Sequence, residues 1–468
     1  MKTRAPFFLP ILLTLALISP GAAFARRMLP KTTAQMQLSF ASVVKRVAPA
    51  VVNVYARSVV RQQINPLFAS PLFQHFFGLS SQFRRRVQQS LGSGVIVRSD
   101  GVILTNDHVI AGAQNIVVAL ADRREFKAKV LLADKRMDLA VLKINVPKGQ
   151  RLPTIAFGNS DQLEVGDIVL AIGDPFGVGQ TVTQGIISAL DRTNVADGSY
   201  RFFIQTDAAI NPGNSGGALV TTDGKLAGIN TAIYSRSGGN IGIGFAIPAN
   251  LARRVVDGAL GGGVQLPWFG VTGQGVTPNL ASALGLNLPE GVVLNQVYPG
   301  GPAANAGLKH GDVVLAIDGA RVNSMDALNY RVATLKPGEI AGVKVIQSGH
   351  LRFVDIRLSL PPASPPPDEI LIGGRTPLTG ARVENLSPAV ATQLQLDPML
   401  RGVVVASPGQ SLAANQGFES GDIIQSINGE LIGNVNQLNQ ALLTGERQGG
   451  WEIVVNRNGQ QLSLAVRR

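Results

Sequence analysis

"DAAINPGNSGGALV" runs from Asp207 to Val220, and the question it raises is why Ser215 stands among glycines and a proline directly before an apolar run. Glycine permits positive φ and close approach of one backbone to another. A serine flanked by glycines can therefore sit on a tight turn with neighbouring N–H groups pointing the same way. An acyl-transfer nucleophile needs that arrangement, because donors must already surround the oxygen that becomes negative. Gly213-Asn214-Ser215-Gly216 taken alone is equally an ordinary glycine turn, so a base, an acid and a fold have to be found elsewhere in the chain.

Imidazole is the usual base for a serine nucleophile. The chain has four histidines, His75, His108, His310 and His350. His310 and His350 belong to a repeated C-terminal region, and His75 lies in a phenylalanine-rich stretch. His108 follows a strand-like run in "GVILTNDHVIAGA" (101–113), where a small helical turn can hold it at the edge of a β core. "DKRMDLAVLKI" (134–144) then places Asp138 at the mouth of an apolar strand, whereas Asp134 sits among charges. A carboxylate beside a buried strand is costly unless it accepts hydrogen bonds, and imidazole Nδ1–H is a suitable donor. The order His108, Asp138, Ser215 is the chymotrypsin order, one of several in which the same geometry recurs.

The background to these residues is β-rich. From about residue 36 to 258, short β-branched runs such as "AVVNVYA", "GSGVIV", "NIVVAL" and "DIVLAIG" alternate with turn residues, the spacing of sandwiches or barrels. No regular strand–helix alternation appears, which excludes a doubly wound fold. Downstream the chain repeats itself. "GVVLNQVYPGGPAANAGLKHGDVVLAIDG" (291–319) returns as "GVVVASPGQSLAANQGFESGDIIQSING" (402–429), with Ala303-Ala304-Asn305 matching Ala413-Ala414-Asn415. A period that long means two copies of a domain rather than a solenoid. Between the copies, "PPASPPPDE" (361–369) predicts a stiff extended linker.

Composition bounds what such a chain can do. Its 468 residues are 45% hydrophobic and 15% charged, a globular balance with room for several cores. It has no cysteine, which rules out a disulfide framework or a thiolate zinc site. It also lacks a phosphate-binding glycine loop, an H-E-x-x-H motif and an EF-hand pattern, so no cofactor and no metal are expected. Lys2 and Arg4, the apolar "FFLPILLTLALIS" (7–19) and "AFA" (23–25) form an export signal, cleaved after Ala25. The formal charge is +12, of which Lys2 and Arg4 account for two, leaving +10 on the mature chain. That surplus suits anionic surfaces, including peripheral contact with a membrane, while a nucleic-acid role does not fit an exported protein.

"LGSGVIV", "TNDHVI", "DLAVLKI", "AIGDPFGVGQTVTQGIISAL" and "FIQTDAAINPGNSGGALV" stand in one order along the chain. Together they resemble the HtrA/Deg family of serine proteases, with a trypsin-like double β-barrel domain followed by two PDZ domains, across nearly everything after the signal. The resemblance implies a mainly β fold divided as 1–25 signal, 36–258 protease, 264–360 first PDZ domain, 361–371 linker and 372–468 second PDZ domain. It implies an ATP-independent periplasmic endopeptidase for misfolded or unfolded proteins, assembled as homotrimers and larger cages, with added chaperone activity. The alternative is a non-proteolytic chaperone or PDZ scaffold on the same fold, which the intact His–Asp–Ser set argues against.

Residue by residue, the resemblance makes His108, Asp138 and Ser215 the triad and puts the oxyanion hole at Gly213, Asn214 and Ser215. Arg192 in "DRTNVADGSYR" (191–201) would relay signals from the PDZ domain, and "GDPFG" (173–177) would be an activation loop. Basic-specific proteases of this fold carry Asp six residues before the serine. That position here is Ala209, followed by Ile210, and Ile233 joins the wall, so an apolar pocket cleaving after Val, Ile, Ala or Leu is expected. Phe269, Gly270 and Val271 in "WFGV" would hold the carboxylate of a hydrophobic C-terminal peptide laid down as an added strand. The matching Thr379-Gly380-Ala381 is poorer in apolar groups, which predicts weaker capture by the second copy. "NPLFASPLFQHFFG" (65–78) would be a regulatory loop reaching a neighbouring trimer. The chain departs from the family at Asp107 and Asp174, where Asn is usual, and at Ile168, where Tyr is common.

Overall fold

The computed structural model describes residues 39–61, 85–174, 179–192, 202–211, 213–233, 242–394 and 396–467. The expected signal, the phenylalanine-rich loop, residues 175–178 of the activation loop and residues 193–201 lie outside the described residues, as do the side chains of Arg192 and Ile233.

Six antiparallel strands close the first barrel: β1 (Val51–Arg61), β2 (Arg85–Arg98), β3 (Val102–Thr105), β4 (Asn115–Ala119), β5 (Glu125–Asp134) and β6 (Leu139–Ile144). Their order around the barrel is β1-β2-β3-β6-β5-β4. β4 and β5 alternate outward and inward, as strands with one wet face must. β3 is buried on both faces and β6 nearly so, as their unbroken apolar runs require. Ile96, Ile103, Leu104, Leu139 and Leu142 fill this core completely. Burying side chains of this kind contributes roughly 1.5–3 kcal/mol each.

A second closed barrel follows, from β7 (Ile168–Gly173), β8 (Thr181–Arg192), β9 (Phe203–Thr206), β10 (Ala218–Thr221), β11 (Leu226–Ile233) and β12 (Gly244–Pro248). Its order is β10-β11-β12-β9-β8-β7, around Val169, Ala171, Ile187, Ile204 and Leu219. Helix Ala249–Leu260 then buries Leu251, Ala252, Val255 and Val256 and touches β6, β11 and β12. The double barrel expected from the sequence is therefore present.

The repeated halves form two sheets. The first has the order β13-β14-β15-β17-β18, from β13 (Val271–Gly275), β14 (Val292–Val297), β15 (Val313–Ile317), β17 (Ile340–Gln347) and β18 (His350–Arg357), with β16 (Ala320–Arg321) on β15. Helix Met325–Thr334, capped by the Ser324 hydroxyl, packs on β13 and β15. The second sheet repeats this plan as β20 (Arg382–Asn385), β21 (Val403–Ser407), β22 (Ile423–Ile427), β24 (Gly450–Arg457) and β25 (Gln460–Arg467), with β23 (Glu430–Leu431) on β22.

The segment expected as a stiff extended linker is fastened to the second repeat, and its last residues, Ile370–Leu371, are strand β19, paired antiparallel with β20. Proline gives up its N–H but keeps its carbonyl as an acceptor. The carbonyls of Pro362, Pro366 and Pro367 accept from Ala389 N (3.1 Å), Asn385 Nδ2 (2.9 Å) and Asn385 N (2.6 Å), which fastens the segment to the second repeat.

Candidate active site

β3 delivers His108 to the rim of the first barrel on a single helical turn, Asp107–Ile110. Asp138 occupies the turn between β5 and β6 with φ of 51°, a left-handed conformation that aspartate tolerates better than most residues. Buried Asn106 secures that turn, its Nδ2–H donating to the Asp138 carbonyl at 2.9 Å. His108 then meets Asp138 twice. Its backbone N–H donates to Oδ1 at 3.0 Å, and its Nδ1 lies 2.9 Å from both carboxylate oxygens. A carboxylate facing Nδ1 selects the tautomer protonated there and leaves Nε2 as the proton acceptor.

A third donor completes the carboxylate's surroundings: Thr231 Oγ1–H, at 2.6 Å from Oδ2. Burial opposes ionisation of Asp138, but the hydrogen bond and charge of His108 and the Thr231 hydroxyl outweigh it and hold its carboxyl below the usual value. A lowered folded value means a contribution to stability present above the ordinary carboxylate range, lost as pH falls through the folded value. Asp107 behaves oppositely: burial, together with the charges of Asp138 and Asp134, raises its carboxyl.

Ser215 rises from the second barrel just before β10. Its Oγ–H donates to the Thr231 carbonyl at 2.9 Å. Thr231 is thus the joint of the site, side chain on Asp138 and main chain on Ser215. The β11–β12 register skips between Asn230 and Ala232, so Thr231 sits on a bulge, the device that re-aims a strand residue. Among the described residues no hydrogen bond joins Ser215 Oγ to His108.

The turn before Ser215 is pressed onto β2. A Cβ at Gly216, whose φ is 83°, would lie 2.1 Å from the Ser93 carbonyl, so no other residue fits there. Gly213 has φ of 100°. Among the described residues, neither the Gly213 nor the Ser215 N–H has a hydrogen-bond acceptor, whereas Asn214 N–H donates to the Asn211 carbonyl at 2.9 Å. Of the three residues expected at the oxyanion hole, Asn214 thus has its N–H engaged, while those of Gly213 and Ser215, the expected donors, have no acceptor among the described residues.

The expected pocket residues are distributed unevenly. Ala209 is half-buried and its carbonyl accepts the Thr183 hydroxyl at 2.8 Å. Ile210 is fully buried in the second barrel's core, close against Gly244 of β12. Ile233 ends β11 opposite Gly244. Arg192 ends β8 and pairs with Phe203 of β9.

Trp268–Gly273, Met325 and Asn329 of the first repeat, together with Thr392, Leu396, Asp397 and Pro398 of the second, line a cleft of about 350 Å³ beside β13. β13 is a sheet edge with one side unpaired. Phe269 and Gly270 turn their carbonyls inward, accepting Ala303 N (3.1 Å) and Tyr298 N (2.8 Å). In the second repeat the corresponding N–H groups are consumed: Thr379 on Thr376 O, Gly380 on Ile372 O and Ala381 on Leu378 O. β19 also covers the edge of β20 that corresponds to the open side of β13.

A family profile described as a trypsin-like peptidase domain matches residues 92–229, and one described as a PDZ domain matches residues 267–358 and 377–467. A probable periplasmic serine endoprotease, DegP-like, from Halomonas elongata is 38% identical over 98% of this chain and 97% of its own length. The chain belongs to the HtrA-type periplasmic serine endoproteases. A probable periplasmic serine protease, do/HhoA-like, from Haemophilus influenzae is 38% identical over 90% of this chain and 91% of that relative. Among solved structures, the HtrA-type protease AlgW with a tripeptide is 44% identical with a TM-score of 0.52, matching 71% of this chain and 99% of that one. The protein is accordingly a serine endopeptidase of trypsin-like fold with two PDZ domains, and its relatives place HtrA-type proteases of this kind in the periplasm.

Reasoning from sequence found neither Thr231 nor Asn106. The signal for Thr231 was there to use: Asn230 and Thr231 are two successive polar residues that break the alternation of "LAGINTAI", and broken alternation is how a bulge is written.

Proposed function

We propose that this endopeptidase hydrolyses unfolded or misfolded envelope proteins without ATP, with Ser215 as nucleophile, His108 as base and Asp138 as its orienting acid. The observation that carries the proposal is Asp138 held on His108 Nδ1 by three donors, with Thr231 linking the same carboxylate to Ser215. Ser215 Oγ attacks the scissile carbonyl as His108 Nε2 takes its proton. The tetrahedral oxyanion lies against the Gly213 and Ser215 N–H groups. His108 then returns the proton to the leaving amine, and water resolves the acyl-enzyme by the same route in reverse.

Ala209 and Ile210 in place of a buried carboxylate favour apolar P1 residues, because an unpaired cation is costly to bury. Casein digestion should therefore yield fragments ending in Val, Ile, Ala or Leu. A majority ending in Lys or Arg would refute this specificity. The same mass spectra should give a mature enzyme beginning at Arg26, as expected of export and cleavage after Ala25.

Regulation by a C-terminal peptide rests on helix Met325–Thr334, which has two working faces. Met325 and Asn329 line the peptide cleft. Tyr330 stacks on Phe202 at 3.9 Å and an interplanar angle of 5°, and Arg331 pairs with Asp161 at 2.5 Å. Phe202 immediately precedes β9 and follows the segment 193–201, the continuation of the stretch that carries Arg192. A peptide that shifts the helix therefore acts on a residue adjoining that loop, in proportion to its preference for one arrangement over the other. The AlgW relative was solved with a tripeptide, which supports a reading in which proteases of this type bind peptides. A non-cleavable peptide with a free hydrophobic C-terminus should speed hydrolysis of a short substrate unable to reach the cleft. If the peptide binds and the rate stays flat, only tethering of substrate remains.

A further inference from the structure

Ser93 is wholly buried, and each of its polar groups is engaged. Its N–H donates to the Ser215 carbonyl at 2.8 Å and its Oγ–H to the Gly213 carbonyl at 2.6 Å. The same hydroxyl oxygen accepts the Asp174 N–H at 2.8 Å, and the Ser93 carbonyl accepts the Thr105 hydroxyl at 2.7 Å. One strand residue of the first barrel thus grips the nucleophile turn of the second at two points, and the start of the "GDPFG" segment at a third.

We propose that Ser93 is a positioning residue for acyl transfer, holding in place the peptide planes that aim the oxyanion donors. This rests on the role proposed above for the Gly213 and Ser215 N–H groups. Peptide planes are rigid and turn only about their flanking Cα atoms. The Gly213 carbonyl on Ser93, with the Asn214 N–H on the Asn211 carbonyl, fixes the 213–214 plane, and the Ser215 carbonyl on Ser93, with the Gly216 N–H on the Asn230 carbonyl, fixes the 215–216 plane. Between them lies the 214–215 plane, which carries the Ser215 N–H and cannot turn alone while both neighbours are clamped. The Gly213 N–H lies in the plane just before the first clamp. Gly213 itself, at φ of 100°, is the residue in the turn best able to let a plane rotate once the clamp is released.

Removing the hydroxyl leaves the Gly213 carbonyl and the Asp174 N–H without their partner at the same time. A serine oxygen donates one proton while still accepting another, so it can bridge these two groups, which an aliphatic side chain cannot. Oxyanion donors act on the charge that develops in the transition state, so misaiming them reduces kcat and leaves substrate binding intact.

The test uses the full-length purified chain and a short chromogenic peptide. Ser93→Ala should lower kcat by about ten- to a hundredfold, less than the ~10²–10³ of losing an oxyanion donor outright, with KM within about twofold. Inhibition by a peptide boronate, which mimics the tetrahedral species, should weaken in parallel. Ser93→Cys, with a weak donor of similar shape, should fall between the two, and it carries the test alone if the alanine variant does not fold. Because the parent has no cysteine, a thiol reagent that reacts only after denaturation verifies that the introduced thiol is still buried. Parental kcat in the variants overturns the proposal. So does a loss expressed through KM with a lowered melting midpoint, which marks plain packing. Fluorophosphonate labelling of the parent keeps the two layers apart. No label on Ser215 sinks the reading of the site, while a labelled parent with fully active Ser93 variants sinks only the clamp.

Discussion

Ser215→Ala is expected to abolish casein hydrolysis, lowering kcat by roughly 10⁴–10⁶-fold, with the fold intact. The substitution removes a single oxygen whose described hydrogen bond is to the Thr231 carbonyl, a strand group at the edge of the site. Alanine keeps the Cβ that serine already places in this turn, while the positions that admit no added Cβ are its neighbours Gly216 and Gly217. Thermal unfolding should therefore change little, and binding of unfolded casein should persist. Casein cleavage at the parental rate by purified Ser215→Ala would remove the nucleophile assignment and return the chain to the alternative of a binding scaffold.

The second large effect is expected from Asp138→Asn, a loss of about 10⁴ in kcat at neutral pH. The amide is nearly the same size, so the turn held by Asn106 should survive. What changes is the match to His108. Three donors converge on the carboxylate: the His108 N–H, the His108 Nδ1–H and the Thr231 hydroxyl. An amide offers one acceptor oxygen and brings donors of its own, so it favours the tautomer with Nε2 protonated, which cannot take the proton from Ser215. It also removes the negative charge that stabilises the imidazolium formed during attack. The check is kcat/KM of the variant on a chromogenic peptide alongside its melting midpoint. A loss of less than about tenfold with normal stability, against the expected ~10⁴, would exclude Asp138 from this role.

The residues whose meaning was legible in the sequence are those marked by neighbours in the chain. Ser215 is flanked by glycines, His108 follows a strand, and Asp138 stands at the start of one; each is a local pattern with a local cause. The two repeats were legible because aligned turn residues recur at a fixed offset. Asn106 and Ser93 were not, because they are ordinary polar residues until strand pairing sets what they face, and the broken alternation at Thr231 marked a bulge without showing what it would touch. Thr231 acquires its role from a skipped register between β11 and β12, and Ser93 from the approach of one barrel's strand to the other's turn. β19 escaped for a different reason. Two residues are too few to show a period, and the prolines before them suggested a stiff linker, although their carbonyls remained able to accept. Nor could a sequence show that the N–H groups of Thr379, Gly380 and Ala381 are engaged within the second repeat, or that β19 covers the edge of β20.

The division of the site between two closed barrels has a consequence for biosynthesis. Ribosomes make the chain from the N-terminus, so β1 to β6 are complete more than a hundred residues before β12 has been made. A first barrel that closes early carries His108 and Asp138 with nothing to activate. Ser215, its Thr231 contact and the turn that Ser93 grips all belong to the later barrel. Through that interval the half-made enzyme is chemically silent toward its own emerging chain and toward the unfolded polypeptides around it. His108, Asp138 and Ser215 can be brought together only once both barrels have formed, and the second lacks a strand until Gly244–Pro248 has been made.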